Sequence, residues 1–466
     1  AASLRIGRMA LDLMGGTLAK VIVEYDPNGS LVTTHKSQGS DMGLFGGFLG
    51  WEAHDDRLPS YREGVKEAGI EIEIRYVSYG AKHPNTYKMT LENSEETRTM
   101  TAISTGGGMM EIQEIDGAGV SIGGDFHETL VYAQGDARSL EVWVADQVDA
   151  DEVKVCAGKR SFVQICSQAT LGDEVLANLR AGDGVDCVKE IAAVLPVMSR
   201  KDLEVPFSTC EEMLAYDNGR NLPLWELAVH YESARGDISH QDVAAKMTDI
   251  VRIMESSIQS GLEGTEYADR ILGCQSVTFQ KRMESGGMVA GDALNRTILF
   301  TTAMMEVKSS MGVIVAAPTA GSCGALPGAC LAVASTLGRS EQETVQAMLA
   351  AGMVGVFVAG HATFAAEVGG CMAECGAGSG MAASAIVTLM NGSLEQTLGA
   401  ASMALQNALG LTCDPVANRV EAPCLGRNVM AASNALACAN MALADFAHLI
   451  PLDQVISAMD EIAGGM

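Results

Sequence analysis

Between residues 311 and 337 the chain runs for 27 residues without a charged side chain, and residues 346–366 carry none either. Uncharged stretches of this length have two homes, hydrocarbon or the deep core of a protein. Both are rich in Gly and Ala, and the first carries Pro318, Pro327 and several hydroxyls. Membrane spans hold more Leu, Ile and Phe. The two stretches therefore read as buried helices and loops of a soluble protein, with no membrane partner. The 51 Gly, 26 Met and 5% aromatics fit a core of small and flexible side chains in which helix backbones approach closely.

Helical periodicity dominates from about residue 207 onward, in 240–262, 293–311, 341–360, 393–410 and 427–450. Before it the patterning is mixed. "LRIGRMALDLMGG" reads as a helix stopped by Gly15-Gly16, and "KVIVEY", a turn "DPNGS" and "LVTT" read as a hairpin. "MGLFGGFLGW" reads as a buried helix with Ser40-Asp41 as N-cap. "EIEIRYVSY", "TYKMTLE" and "TMTAIST-GGG-MMEIQEI" are strands, the last pair broken by three glycines. Residues 119–204 offer strands at "ETLVYAQ", "EVKVCAG", "SFVQICSQ" and "CVKEIAAVLPV" and a helix at "DEVLANLR", compatible with a βαββαβ module. The expected fold class is multidomain α+β: an α/β domain over 1–118, a small α/β unit over 119–204, and an all-helical domain over 205–466.

A net charge of −27 without a basic cluster argues against nucleic acid or an anionic surface as partner. Twelve Cys in 466 residues, with no secretory signal at the start, read as a reducing cytoplasm with thiols free or metal-bound.

Three stretches carry chemistry: "APTAGSCGALPGACL" (316–330), "AEVGGCMAECGAGSGMAAS" (366–384) and "LTCDPVANRVEAPCLGRN" (411–428). Gly-rich turns running into helices present backbone N–H groups that suit a carboxylate or phosphate. In the third stretch Pro415 and Pro423 keep two cysteines on a bent loop between elements. Any one of these cysteines, taken alone, reads first as a small buried residue. The spacing matches no zinc finger and no CxxC occurs, so spacing alone leaves a metal site and an accident of composition both open.

These motifs resemble the iron–sulfur-dependent L-serine dehydratases (L-serine ammonia-lyases). "PTAGSCGALPG", "GGCMAECGAGSGMAA", "CDPVANRVEAPCLGRN" and "SNALACANMALA" resemble the family's alpha domain. "RIGRMA", "GSDMGLFGGFLG", "HPNT" and "STGGGMMEI" resemble its beta domain, and the middle unit sits where family members can carry an ACT-like domain. The resemblance implies that Cys371, Cys413 and Cys424 each hold one iron of a [4Fe–4S] cluster. Electron-transfer clusters have four such ligands, and a fourth iron left open is a Lewis acid for a β-hydroxyl. It implies elimination from L-serine to a 2-oxo acid and ammonia, with no pyridoxal phosphate. Thr319, Gly321 and Ser322 would hold the substrate carboxylate, with Ser322 also counted among the catalytic groups. Cys371, after Gly369-Gly370, would begin a helix whose dipole favours the thiolate.

The chain also departs from the family pattern. The family's Ser-Ser-Ser-His-Thr segment and Arg-Glu-Thr…Gly-Gly tail would fall beyond the two ends of this sequence. A family His is Gln38 here, beside Ser40 and Asp41 of the expected substrate site, and an Asn-Ala-Ser-Ile-Ser-Gly loop reads "HATFAA" at 361–366. His361 is then a candidate base, or else a core residue. Arg427 and Asn428 would position cluster or substrate, with a helix cap or a pair with Glu421 as the equal alternative for Arg427. The expectation is a cytoplasmic homodimer acting on a small amino acid. Alternatives are a paralogue for another β-substituted amino or hydroxy acid (threonine, cysteine) and a non-catalytic cluster-bearing sensor.

Overall fold

The computed structural model describes residues 1–195, 203–268, 270–413, 416 and 421–466. It divides into two units, Ala1–Leu203 and Glu204–Met466.

The N-terminal unit holds two sheets. Six strands, β1 (Lys20–Tyr25), β2 (Glu71–Tyr76), β3 (Thr86–Glu92), β4 (Thr97–Gly106), β5 (Met109–Ile115) and β6 (Ala118–Ile122), pair in the order β2-β1-β3-β4-β5-β6. Only β1 and β2 run parallel. Gly106, Gly107 and Gly108 all take positive φ, which makes the β4–β5 turn a glycine-only connection. The helix Ala2–Leu13 lies against the helix Ser40–Phe48 at glycine distance. A Cβ on Gly47 would fall 2.3 Å from the Leu4 carbonyl oxygen.

Two local expectations change here. "LVTT" is a helical turn, Leu31–Thr34, and not the second strand of a hairpin. The Thr34 hydroxyl donates back to the Ser30 carbonyl, and only Leu31 is buried, so four residues carried too little period to separate strand from helix. The buried helix begins after Gly39, at φ 74°. Ser40 and Asp41 are its first turn and make no side-chain cap.

The second sheet is fully antiparallel, in the order β10-β7-β9-β8, with β7 (His127–Ala133), β8 (Glu152–Cys156), β9 (Phe162–Ser167) and β10 (Val185–Ile191). Helices Arg138–Gln147 and Asp173–Ala181 complete a β-α-β-β-α-β sequence. The break between the sheets falls after Ile122, since β6 pairs with β5, and not at residue 118. The end of the expected "CVKEIAAVLPV" strand lies outside the described residues.

A buried cation ties the two sheets together. The Arg98 guanidinium in β4 donates to Asp116 Oδ2 at 2.9 Å and to Glu96, and stacks 4.2 Å over the ring of Tyr132 in β7, whose hydroxyl donates to Asp116 Oδ2 at 2.9 Å. Arg98 is 1% exposed. Asp116→Ala is therefore expected to destabilise the protein by about 1–3 kcal/mol in urea unfolding, because Arg98 Nη1 and the Tyr132 hydroxyl lose their shared buried acceptor while Glu96 stays bonded to the cation. A loss below about 1 kcal/mol would show that the network contributes only surface-grade pairing.

The C-terminal unit is helical. Its longest uncharged run becomes the buried helix Ala325–Leu337, preceded by an irregular segment. Gly328 lets that helix meet Asp292–Ser309, since a Cβ there would sit 2.2 Å from Thr301 Oγ1. The helix Glu341–His361 is long and apolar enough to cross a membrane by length and composition, and two thirds of its most apolar window is buried within the unit (67%). Its N-terminus is fixed by a capping box between Ser340 and Glu343, as is that of Leu394–Gln406 between Ser393 and Gln396.

Candidate active site

Gly370 sets the geometry of the site. It interrupts the helix Ala366–Cys371 at φ 61°, ψ −163°, a conformation strained for any side chain. A Cβ there would also lie 2.7 Å from the Leu411 carbonyl oxygen and 3.1 Å from Thr412 Cα. Only glycine lets the backbone before Cys413 press against the residue before Cys371. The Met372 N–H then donates to the Leu411 carbonyl at 2.9 Å, and the thiols of Cys371 and Cys413 come within hydrogen-bond reach.

Beyond Cys371 the helix widens into a π-helical turn, Met372–Gly376, before continuing as Ala377–Leu389. Such turns recur at functional sites. This one carries Glu374 and Cys375 inward. The Cys375 thiol reaches that of Cys371, accepts from Asn428 Nδ2 at 3.7 Å, and packs with Ala325 and Ala431.

The expected depression of the Cys371 thiol is not found. Its bond to Cys375, with burial added, pushes it up to about 12, the bond to Cys413 acting the other way. The bond to Cys371 likewise pushes the Cys413 thiol far above its ordinary value. Neighbouring thiols oppose one another's ionisation when no cation is among them, and this outweighs a helix end.

Cys424 is buried in the first turn of Ala422–Leu443. Asn428 binds that turn to the "PTAGSCG" loop. Its Nδ2 donates to the carbonyls of Gly321 and Cys424, both at 2.8 Å, and its Oδ1 accepts from the N–H groups of Gly324 (3.1 Å) and Ala325 (3.0 Å). Its amide is spent on protein contacts, which fix the loop to the helix. The stretch between Cys413 and Glu421, with Pro415, lies outside the described residues except Val416.

The loop brings Thr319 and Ser322 to Glu374. Thr319 Oγ1 donates to Glu374 Oε1 at 2.6 Å, lies 3.1 Å from Ser322 Oγ, and accepts the Ser322 N–H at 3.2 Å. Gly321 must lack a side chain here, because a Cβ would fall 2.5 Å from Glu374 Oε1. Burial pushes the Glu374 carboxyl up to about 7, although the residue keeps part of its surface accessible. The site thus contains a carboxyl poised for proton transfer near neutrality.

The other expected site residues make contacts of their own. His361 ends its helix exposed, with Nε2 3.0 Å from the Ser208 carbonyl oxygen, and does not join the thiol group. Glu421 accepts the N–H groups of Ile271 (3.1 Å) and Leu272 (2.8 Å), which is where its carboxylate goes. Arg427 stands on Ala422–Leu443, half-buried. In the N-terminal unit Gln38 is exposed and Ser40 half-buried. Asp41 is buried and bonded at 2.7 Å to Nδ1 of His35, whose Nε2 meets the Tyr76 hydroxyl at 2.9 Å. Its carboxylate is taken up within the unit, by a histidine the sequence pattern did not single out. Among the described residues no group of three or more His, Cys, Asp or Glu is placed to hold a metal.

Comparison with known proteins places these motifs. The family profile described as serine dehydratase alpha chain matches residues 219–466. The probable L-serine dehydratase, alpha chain, of Bacillus subtilis is 36% identical over 260 residues, covering 56% of this chain and 87% of the relative. The L-serine dehydratase, alpha chain, of Peptoniphilus asaccharolyticus is 36% identical over 263 residues, 56% of this chain and 89% of that one. L-serine dehydratase 1 of Escherichia coli is 31% identical over 269 residues, 56% of this chain and 59% of that one. The chain belongs to the serine dehydratase alpha chain family and is a lyase of that type.

Proposed function

We propose that the protein is a [4Fe–4S]-dependent L-serine dehydratase that releases ammonia and a 2-oxo acid. The observation that carries this reading is the Gly370 junction, which brings Cys371 against Cys413 beside a half-accessible acid. Cys371 and Cys413 meet from separate elements and Cys424 stands on another, which supports a group that takes one ligand per iron over a single ion surrounded by all three. Their mutual opposition to ionisation is what a bound cation relieves. Cys371, Cys413 and Cys424 would hold the cluster, which when bound supplies a Lewis acid for the β-hydroxyl. The names of the relatives support serine as the substrate.

The protein's own groups do the rest. Ser322 and the backbone of the 319–322 turn orient the substrate carboxylate, and Glu374 takes the α-proton in place of His361. Loss of water leaves an enamine, which becomes the imine and takes up water to give the 2-oxo acid and ammonia. The β-α-β-β-α-β order of the second sheet supports an ACT-like reading of the middle unit, and residues 1 to about 118 are read as a beta-type domain. Twelve cysteines with no disulfide among the described residues support a reducing cytoplasm, and we carry a homodimer as part of the same reading.

Gln38 and the "HATFAA" segment favour a second reading, a paralogue for threonine or cysteine. Ammonia release from L-serine, L-threonine and L-cysteine separates the two, and none from any of the three would contradict both. If Gln38 tunes specificity, Gln38→His is expected to change kcat/KM for serine by about tenfold or more while Lys36→Ala does little. Equal small effects would remove Gln38 from the site.

A further inference from the structure

The hydrogen bonds around His35 lead from a buried acid to an exposed phenol. The helix Ser40–Phe48 begins straight after Gly39, and this tight entry folds Asp41 back onto His35. The Asp41 N–H donates to the His35 carbonyl at 3.0 Å, and Asp41 Oδ1 lies 2.7 Å from His35 Nδ1. A carboxylate only accepts, so Nδ1 carries the proton and the neutral ring keeps a lone pair on Nε2. That lone pair faces the Tyr76 hydroxyl at 2.9 Å. The rings of Tyr25 and Tyr76, with centroids 5.1 and 6.1 Å from that of the imidazole, hold its orientation.

Burial separates the three roles. Asp41 and His35 are buried, whereas Tyr76 ends β2, the edge strand of the six-stranded sheet, and is 51% exposed. A strut between β2 and His35 needs one hydrogen bond, and does not call for a carboxylate desolvated behind the ring. Nucleophile, base and orienting acid in hydrogen-bond sequence are the arrangement that activates a hydroxyl. Here the hydroxyl is a phenol, and it is the member of the three that a solute can reach.

We propose that Tyr76 is a nucleophilic acyl acceptor, with His35 as its base and Asp41 as the residue that positions the base. Tyr76 Oη attacks the carbonyl carbon of an activated ester, and the phenolic proton passes to His35 Nε2. The bond from that carbon to the leaving oxygen then breaks, and the proton follows the leaving group. The products are O-acylated Tyr76 and the free alcohol or phenol of the ester. This activity depends neither on an iron–sulfur cluster nor on elimination from serine.

Tyr216 supplies a comparison within the same chain. It is 37% exposed and its hydroxyl meets His230 Nδ1 at 3.3 Å, but among the described residues no acid is bonded to the other nitrogen of that ring. Exposure and an imidazole neighbour are shared, and the orienting acid is not. Treatment of the full chain with p-nitrophenyl acetate, followed by peptide mass spectrometry over time, reads the two sites separately. Tyr76 is expected to be acetylated about tenfold or more faster than Tyr216. His35→Phe and Asp41→Asn are each expected to slow Tyr76 by about tenfold or more while leaving Tyr216 unchanged. In the second variant the amide can donate to Nδ1, which moves the ring proton to Nε2 and removes the acceptor. A purely structural His35 would not change the rate at an exposed phenol. Should either variant fail to fold, the ratio of the two tyrosines in the unaltered chain decides. Equal rates at Tyr76 and Tyr216, or undiminished acetylation of Tyr76 in the folded variants, would overturn the proposal.

Discussion

Cys371→Ser is expected to give protein without the visible absorbance of an iron–sulfur cluster and without turnover, while Cys375→Val keeps both. The two thiols are four residues apart and within reach of each other, so proximity alone does not choose between them. Their surroundings do. Cys371 sits at the Gly370 junction where the chain carrying Cys413 arrives, so its sulfur faces a second thiol from another segment. Cys375 packs with Ala325 and Ala431, as a small buried hydrophobe does. Valine there adds a little volume to a closed pocket, a change that costs about 1–3 kcal/mol of stability and no ligand. Iron content and absorbance of the anaerobically prepared variants check the assignment. A colourless Cys375→Val protein would reverse it.

Glu374→Gln is expected to lower kcat by about 10²–10⁴-fold with little change in KM. The amide can still accept the 2.6 Å bond from Thr319, so the fold and the loop are retained and only proton transfer is lost. The pH profile supplies a second readout. A carboxyl raised to about 7 by burial is protonated below that pH, so a base role makes kcat/KM fall as pH drops through 7 and level off above it. The variant's residual activity should lose that acid limb. An unchanged profile with a small drop in kcat would assign the proton transfer elsewhere.

The helical unit was legible because its buried faces repeat at helical spacing over long runs, and because capping boxes such as Ser340–Glu343 mark where helices start. The strands flanking Gly106–Gly108 were legible for a similar reason: alternation stops where three glycines turn the chain. Leu31–Thr34 was not, since four residues fit either period. The three thiols came from resemblance, and nothing local to Gly370 announces that its missing Cβ admits Thr412. Glu374 was missed although a signal existed. It is the only charged residue between Glu367 and Glu395, in a run that otherwise reads as deep core, and a lone charge in such a place must have a partner or a task. His35 had no such signal. Its pairing with Asp41 depends on the fold around Gly39 and on Tyr76 arriving from β2.

Whether a cluster held by Cys371, Cys413 and Cys424 is needed for serine elimination is decided by counting iron and acid-labile sulfide during turnover. Protein purified without oxygen should carry about four of each per chain and release ammonia from L-serine. Exposure to air should remove iron, colour and activity in parallel, and ferrous iron with thiol should restore all three. Full serine turnover by colourless, iron-free protein would contradict the account.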